Sequence, residues 1–325
     1  MARTDNTSGK LNGKLVVLLG GSGFLGQHIA QDLLESGARL RVTSRNPGAA
    51  YKLKPLADLG QMQLAHCDVT REDSLRAALH GADAAVFLAG AFNGDLEALM
   101  QRGAGDAARI ATEAGAEAFV HISAIGVDPE SEVAYSQTKA RGEKLVREAF
   151  PAATIMRPSI IFGEDDAFLN MFGGLIRAFP VLPVFGPEAK LQPVNVDDAA
   201  AAIVAALADP AKHGGKTYEL AGPEVLTMAQ INSKIAAAQG RDTTFIALPD
   251  FVSRVIAAAT GWLPFAPITS DQWTLLVQGS VATGDHPGIE KLGVKPRPID
   301  LFLERWMTPY RKHGRFTDRT EFARD

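Results

Sequence analysis

The chain has 325 residues, of which 46% are hydrophobic, and a formal net charge of −4. This length allows one large or two modest domains, each with a packed core. The mildly acidic balance lacks the basic footprint of a nucleic-acid-binding protein, so we expect no nucleic acid among its partners. The single cysteine, Cys67, excludes an internal disulfide and is typical of a reducing compartment.

Two further patterns bear on location and metals. Residues 1–13 are polar and lack the apolar stretch of a signal peptide. The longest uninterrupted apolar run, 199–208, is shorter than the ~20 residues that cross a bilayer. We therefore expect a cytoplasmic protein with no transmembrane segment. The seven histidines are scattered and none has a partner at metal-ligand spacing, so we expect no metal site.

From residue 14 onward, segments typical of strands alternate with segments typical of helices. Such alternation predicts right-handed crossovers and a parallel sheet with helices on both faces. We expect an α/β fold, namely a Rossmann-type doubly wound parallel sheet with a smaller, mostly helical C-terminal lobe. The predicted strands are 15–19, 40–43, 62–67, 84–89, 118–123, 153–156 and 216–220, and the predicted helices are near 72–79, 95–114, 135–150, 199–207, 227–239 and 250–260.

The same patterns divide the chain into regions. Residues 14–163 are expected to form a dinucleotide-binding domain, to which 195–222 return through an aspartate-capped helix. Prolines become frequent after Gly163, and we assign 164–194 and 223–305 to a smaller lobe that binds substrate or a partner. Residues 306–325 form a charged tail.

One apolar stretch in the smaller lobe allows two interpretations. Residues Phe251–Ala259 are strongly apolar, and Trp262, Leu263 and Phe265 follow them. The stretch can be part of the core of the lobe. Alternatively, it can form a docking face for a quinone, a lipid or a membrane-protein partner.

A glycine-rich turn follows the first predicted strand. Gly20, Gly23 and Gly26 have the spacing of a dinucleotide-binding turn between a strand and a helix. Gly20 is expected to make the tight turn, Gly23 to let backbone amides approach a pyrophosphate, and Gly26 to pack the helix against the strand. The helix N-terminus, with its free amides and partial positive charge, favours an anion. Ser22, Phe24 and Leu25, which lie between these glycines, complete the predicted phosphate site.

The end of the second strand indicates which dinucleotide binds. A carboxylate there favours NAD(H), whereas an arginine accommodates the 2′-phosphate of NADP(H). This sequence has Ser44 and Arg45 at that position and no acidic residue between Gly37 and Ala57. We predict NADP(H), with Arg45 as the phosphate ligand and Ser44 as a second donor, while NAD(H) stays an alternative. Further predicted cofactor contacts are Asp68 and Val69 after the third strand and Ala89, Gly90 and Ala91 after the fourth.

A tyrosine and a lysine carry the candidate chemistry. Tyr135 and Lys139 are four residues apart and share one helix face. An ammonium group near a phenol lowers the pKa of that phenol. Tyr135 is therefore a candidate proton donor or acceptor for a carbonyl–alcohol couple, and Lys139 is expected to contact the ribose of the cofactor.

These motifs together resemble the extended or atypical short-chain dehydrogenases/reductases, which are similar to NAD-dependent epimerases/dehydratases. Longer stretches, 119–126, 155–163 and 218–223, are more similar to the nucleotide-binding accessory subunit of respiratory complex I and its bacterial relatives. The likeness extends from about Lys14 to Leu303. It implies a Rossmann-type domain that binds NADP(H) or NAD(H), with Pro158 and Ser159 beside the nicotinamide.

The sequence departs from the family pattern at one catalytic position. Active members usually have a serine or threonine that binds the substrate oxygen, and here Ala124 occupies that position, one residue after Ser123. Successive side chains on a strand point to opposite faces, so Ser123 replaces it only if the strand end is irregular. Three functions follow as alternatives. The chain is an NAD(P)-dependent oxidoreductase or epimerase acting on an unidentified small molecule, a non-catalytic accessory or assembly factor of complex I at the inner face of a respiratory membrane, or an NADP(H) redox sensor.

Overall fold

The computed structural model describes residues 9–248, 270–312 and 314, and the chain divides into two compact units. The first unit takes in Met1–Ser159, Val196–Ala221 and Ala282–Pro296, as far as the described residues reach. The second takes in the intervening ranges, Ile160–Asn195 and Gly222–Val281, and the C-terminal range Arg297–Asp325. Each unit is described separately below.

Within the described part of the first unit, seven parallel strands form one sheet. Strands are numbered along the whole chain: β1 Leu15–Leu19, β2 Arg39–Ser44, β3 Met62–His66, β4 Ala84–Phe87, β5 Ala118–Ile122, β6 Thr154–Pro158 and β11 Thr217–Leu220. Their order in the sheet is β11-β6-β5-β4-β1-β2-β3. The central strands β1, β4 and β5 are almost fully buried, which explains their continuous apolar sequence, because helices cover both faces of a parallel sheet.

The helices of the first unit bury apolar surface against this sheet and against one another. In α1, for example, Ile29 and Leu33 are one turn apart and fully buried. The helices are α1 Phe24–Glu35, α2 Glu72–Leu79, α3 Gly103–Glu113, α4 Ala134–Ala149, α6 Val196–Ala208 and α7 Pro210–His213, with 3-10 helices at Pro47–Leu56 and Ile289–Leu292. The predicted fold class is confirmed, since the sheet is parallel and helices alternate with its strands.

Three local predictions need correction. The helix predicted over 95–114 begins as a π-helical turn, Glu97–Arg102, before α3 starts at Gly103. Helix α6 begins at Val196, so its aspartates lie in the first turn rather than at the cap, where they still favour the positive end of the helix dipole.

The third correction concerns the segment 282–296, which the sequence placed in the smaller lobe. The buried carboxylate of Glu219, on β11, accepts hydrogen bonds from the Thr283 amide and hydroxyl, both at 2.9 Å, and from the Gly284 amide at 3.2 Å. The Glu219 amide donates to the Pro287 carbonyl at 3.0 Å. These bonds hold the segment on the edge strand of the sheet, so it belongs to the first unit.

The second unit combines helices with short strand pairs. Residues 160–163, predicted as the end of the dinucleotide-binding domain, belong here because β7 pairs with β10. The strands are β7 Ile161–Phe162, β8 Val181–Val184, β9 Lys190–Leu191, β10 Val194–Asn195, β12 Leu226–Thr227 and β13 Thr244–Ala247, and the helices are α5 Ala167–Ala178, α8 Met228–Gln239, α9 Ser270–Gln278 and α10 Asp300–Trp306. Thr227 and Gln230 form a capping box that starts α8.

Several predictions fall on residues that the structure does not describe. The predicted helix near 250–260, the apolar stretch Phe251–Ala259 and the aromatic residues after it lie outside the described residues. So do residues 1–8 and most of the predicted tail. Among the residues that the structure describes, no helix is both long enough and apolar enough to span a membrane.

Candidate functional site

The glycine turn sits at the carboxyl end of β1 and is held by β2. The amides of Gly20 and Gly21 both donate to the Thr43 carbonyl, at 2.9 and 3.0 Å. Gly20 has φ of +85°, a conformation that L side chains rarely adopt. A Cβ atom on Gly26 would lie 2.6 Å from the Gly21 carbonyl oxygen. The turn and the start of α1 are therefore so close together that only glycine fits at position 26.

The N-terminus of α1 presents free backbone donors. Gly23 is the N-cap residue, is exposed, and provides no side-chain cap for the first turn. Phe24 and Leu25 open the helix, and the Ser22 carbonyl accepts from the Gln27 side chain at 2.7 Å. The amides of this first turn have no side-chain cap, and the turn itself contains no acidic residue. They can therefore bind an anion, such as a pyrophosphate.

The ends of β2 and β3 bring a cation and a carboxylate together. Arg45 is exposed, and the hydroxyl of Ser44 is buried with no hydrogen-bond partner among the described residues. Asp68 accepts hydrogen bonds from the Thr70 hydroxyl and amide, at 2.8 and 3.0 Å. These bonds lower the pKa of Asp68, and the Arg45 guanidinium lowers it further. Asp68 is thus an ionised turn residue beside Arg45.

The end of β4 connects the two halves of the site. A Cβ atom on Gly20 would lie 3.1 Å from the Ala89 amide nitrogen, and one on Gly90 would lie 3.5 Å from Lys139 Nζ. Ala91 is half-buried and Val69 is buried. The small residues after β4 therefore lie between the glycine turn and the predicted catalytic pair.

The predicted pair lies on α4, with Lys139 almost completely buried. Lys139 Nζ donates to the Ile122 carbonyl at 2.7 Å and lies 6.0 Å from the ring centroid of Tyr135. Burial lowers the pKa of Lys139 to about 8, although nearby Glu143 opposes this shift. Burial raises the pKa of Tyr135 to about 12. The expectation that Lys139 lowers the pKa of Tyr135 is wrong for this arrangement, because desolvation of the phenolate dominates.

Sequence reasoning missed Phe92, the residue that covers Tyr135. The two rings are stacked, with centroids 4.6 Å apart and planes 22° apart. Phe92 lies in the loop after β4, between Gly90 and Gly94, and is half-exposed. The sequence signal that could have identified Phe92 is an aromatic residue in a loop flanked by glycines at the carboxyl edge of the sheet.

The ends of β5 and β6 position the remaining predicted residues. The Ser123 amide donates to the Met156 carbonyl at 2.7 Å, which extends the strand pairing, while its hydroxyl is buried without a partner among the described residues. The Ile125 amide donates to the Pro158 carbonyl at 3.0 Å, and the Ser159 amide donates to the Leu220 carbonyl at 2.9 Å. The Ser123 hydroxyl is therefore not bonded to Tyr135.

Comparison with known proteins now defines the family. A family model described as NAD(P)H-binding matches residues 20–210. The chain is 33% identical over 299 residues to NADH dehydrogenase (ubiquinone) 1 alpha subcomplex subunit 9, mitochondrial, of Mus musculus, a match that covers 90% of this chain and 79% of the mouse protein. The chain belongs to this NAD(P)H-binding family. The predicted family is confirmed, and so is the binding of a nicotinamide dinucleotide.

Two reductases are also similar to this chain. The ceramide reductase of Caulobacter vibrioides is 32% identical over 196 residues, which cover 59% of this chain and 60% of that protein. The crystal structure of the triphenylmethane reductase of Citrobacter sp. complexed with NADP(H) superposes with a TM-score of 0.70 at 19% identity, over 88% of this chain and 97% of that chain. The likeness to the triphenylmethane reductase shows that the two chains share a fold. The preference for NADP(H) over NAD(H) stays a prediction, as do the site residues.

The residues present fit a dinucleotide. Helix α1 begins without a side-chain cap at the exposed Gly23, and the buried hydroxyl of Ser44, at the end of β2, lacks a partner among the described residues. Buried polar groups are normally hydrogen-bonded, and an unpaired one needs an explanation. A bound ligand at the carboxyl edge of the sheet would provide such partners. Among the described residues, no group of three or more His, Cys, Asp or Glu side chains is arranged to hold a metal ion.

Proposed function

We propose that this chain binds NADP(H) and acts as an accessory or assembly protein of respiratory complex I, at the inner face of a respiratory membrane. The observation that carries the proposal is the relationship to the mouse subunit, which extends over 90% of the chain. The environment of Tyr135 supports a role without rapid turnover, because position 124 is alanine and the Ser123 hydroxyl is buried. Loss of one oxyanion donor costs roughly 10²–10³ in rate.

The first unit contains the residues that would hold the nucleotide. The pyrophosphate would bind the amides of the glycine turn and of the first turn of α1, from Gly20 to Gly26. Arg45 and Ser44 would bind the 2′-phosphate, and Asp68, Val69 and the residues Ala89–Ala91 would line the adenosine side. Tyr135, Lys139, Pro158 and Ser159 would lie at the nicotinamide, which accepts or supplies a hydride when bound. The second unit would then bind the substrate or partner.

The cofactor preference can be tested at Arg45. We expect Arg45→Asp to weaken NADPH binding at least about tenfold, since a charge-assisted hydrogen bond contributes roughly 1.5–3 kcal/mol. NADH affinity should stay the same or rise. Arg39→Asp is the matched control, because Arg39 is an exposed arginine at the opposite end of the same strand. Equal losses for both nucleotides would show that Arg45 does not bind the 2′-phosphate.

The accessory role can be tested in the organism that encodes the chain. The full-length protein, tagged at its chromosomal locus, should co-purify with complex I subunits from mildly solubilised membranes. Its deletion should lower the amount of assembled complex I on native gels. Normal assembly together with the absence of every complex I subunit from the purified material would contradict this role.

A second candidate function is carbonyl reduction. The position of Tyr135 supports it, because Lys139 Nζ lies 6.0 Å from the Tyr135 ring centroid and a pKa of about 12 keeps the Tyr135 hydroxyl protonated. If the chain is a reductase, Tyr135→Phe should abolish NADPH oxidation by carbonyl compounds while NADPH still binds. Ala124→Ser should raise the same rate by restoring a donor. Unchanged rates in both variants would exclude this mechanism.

A further inference from the structure

Large apolar side chains are exposed on the connection between β2 and β3. Tyr51, Leu56 and Leu59 have relative exposures of 60%, 52% and 107%. Tyr51 and Leu56 belong to the 3-10 helix Pro47–Leu56, and Leu59 lies on the turn that follows it. We call these three residues, together with Lys52 and Lys54, the Tyr51–Leu59 surface.

The 3-10 helix is anchored in a way that keeps Tyr51 and Lys54 outward. With three residues per turn, Ala50, Leu53 and Leu56 fall in one row, in which Ala50 and Leu53 are buried and Leu56, the last residue of the helix, is 52% exposed. Tyr51 and Lys54 fall in the next row, where Lys54 Nζ lies 4.7 Å from the Tyr51 ring centroid. Because the buried row fixes the rotation of the helix, Tyr51 and Lys54 face solvent together.

The charge of this region is opposite to that of the chain. The chain carries a net charge of −4, yet residues 38–57 contain no aspartate or glutamate. Within residues 51–59, two exposed lysines, Lys52 and Lys54, outnumber the one exposed carboxylate, Asp58. The charge complement of the Tyr51–Leu59 surface is therefore an anionic partner.

The shape of the surface favours a lipid over a protein. Leu59 protrudes without packing against neighbouring side chains, so a folded protein partner would need a separate pocket to bury it. A specific protein interface also buries roughly 800 Å² on each partner with good complementarity. A fluid interface accepts single protruding apolar side chains, and basic residues beside them bind lipid phosphates.

We propose that the Tyr51–Leu59 surface docks the chain on an anionic lipid membrane, with Leu56 and Leu59 entering the boundary of the acyl chains and Lys52 and Lys54 contacting headgroup phosphates. This docking goes beyond the proposed accessory role, because it requires neither complex I nor turnover. It also assigns the Tyr51–Leu59 surface to a partner other than the dinucleotide.

Vesicle flotation of the full-length protein, with and without saturating NADP⁺, tests the docking. We expect binding to vesicles of phosphatidylcholine mixed with phosphatidylglycerol, and little binding to phosphatidylcholine alone. Leu56→Ser/Leu59→Ser should lower the partition coefficient at least about tenfold, because burial of a leucine contributes roughly 1.5–3 kcal/mol. Lys52→Glu/Lys54→Glu should lower it by a similar factor, and added salt should weaken binding. Leu301→Ser is the matched control, because Leu301 lies in the second unit and its exposure of 67% is between those of Leu56 and Leu59.

Four outcomes would overturn the docking proposal. These are equal binding to both vesicle types, equal loss with Leu301→Ser, release of the vesicles by NADP⁺, and binding of polyglutamate in place of vesicles. Release by NADP⁺ would assign the cations to the cofactor phosphate, and polyglutamate binding would assign the surface to an acidic protein. Co-purification of Leu56→Ser/Leu59→Ser with complex I is scored separately, so failure of the docking and failure of the accessory role are distinguishable.

Discussion

The two halves of the candidate site in the first unit depend on different parts of the chain, one on the backbone and the other on side chains. The phosphate half consists of backbone amides, glycines and a helix N-terminus, and its geometry is enforced by contacts such as those of Gly20 and Gly26. The nicotinamide half depends on Tyr135 and Lys139, whose pKa values burial shifts in opposite directions. Binding of the pyrophosphate can therefore be specified by the backbone path alone, whereas chemistry depends on how deeply two side chains are buried.

The largest effect is expected at Gly26. In Gly26→Ala, the new Cβ would meet the Gly21 carbonyl oxygen at 2.6 Å and the Gly21 Cα at 2.7 Å. Backbone atoms cannot move aside as a flexible side chain does, so we expect a loss of about 3 kcal/mol in the free energy of unfolding. Urea unfolding measures it, together with the loss of NADPH binding.

Gly174→Ala is the control for this substitution. Gly174 lies in α5, has negative φ, and a Cβ atom there would have nothing within 4 Å. Alanine is favoured over glycine in a helix by roughly 0.5–1 kcal/mol, so this variant should be slightly stabilised. Equal stability of the two variants would mean that the phosphate half is not sterically enforced.

These differences explain what the sequence predicts and what it does not. Apolar strands and the glycine spacing are local patterns, and the sheet and the turn at Gly20 follow from them directly. The shift in the Tyr135 pKa does not follow, because it depends on surroundings contributed by distant segments such as the Phe92 loop. Likewise, the segment 282–296 joins the first unit through contacts with residues distant in sequence, such as the buried Glu219. No local pattern in that segment indicates the pairing.

The second prediction concerns the buried amine of Lys139. Its pKa is about 8 when folded and 10.5 when exposed, so the unfolded state holds the extra proton between these values. The free energy of unfolding of the wild type, relative to that of Lys139→Met, should therefore rise by about 1.5 kcal/mol from pH 8 to pH 9.5. Cys67, whose pKa burial raises, opposes this rise equally in both proteins. Lys139→Met should lack this rise in urea titrations at each pH. Lys144→Met, at an exposed lysine of the same helix, should keep it.

The third prediction concerns His121 on β5. The imidazole is fully buried, neither nitrogen has a partner among the described residues, and burial holds its pKa well below 6.5. Below pH 6.5 His121 binds a proton in the unfolded state but stays neutral in the folded state. The free energy of unfolding of the wild type should therefore fall by about 1 kcal/mol from pH 6.5 to 5.5. His121→Phe should remove this slope without a loss at pH 7, since no partner is orphaned. A persisting slope would assign the titration to another group.

The smallest effects are expected at Ser44 and Ser123, one residue in each half of the candidate site. The hydroxyls of Ser44 and Ser123 are both buried without partners among the described residues, so each serine-to-alanine change should alter ligand-free stability by less than about 0.5 kcal/mol. Ser44→Ala should lower NADPH affinity about fivefold, the value of one hydrogen bond of about 1 kcal/mol, and leave NADH affinity unchanged. Ser123→Ala should change neither affinity. Nucleotide fluorescence titration measures both affinities. Equal losses of NADPH affinity in the two variants would mean that both hydroxyls bind the cofactor and that the site is not divided into a binding half and a catalytic half.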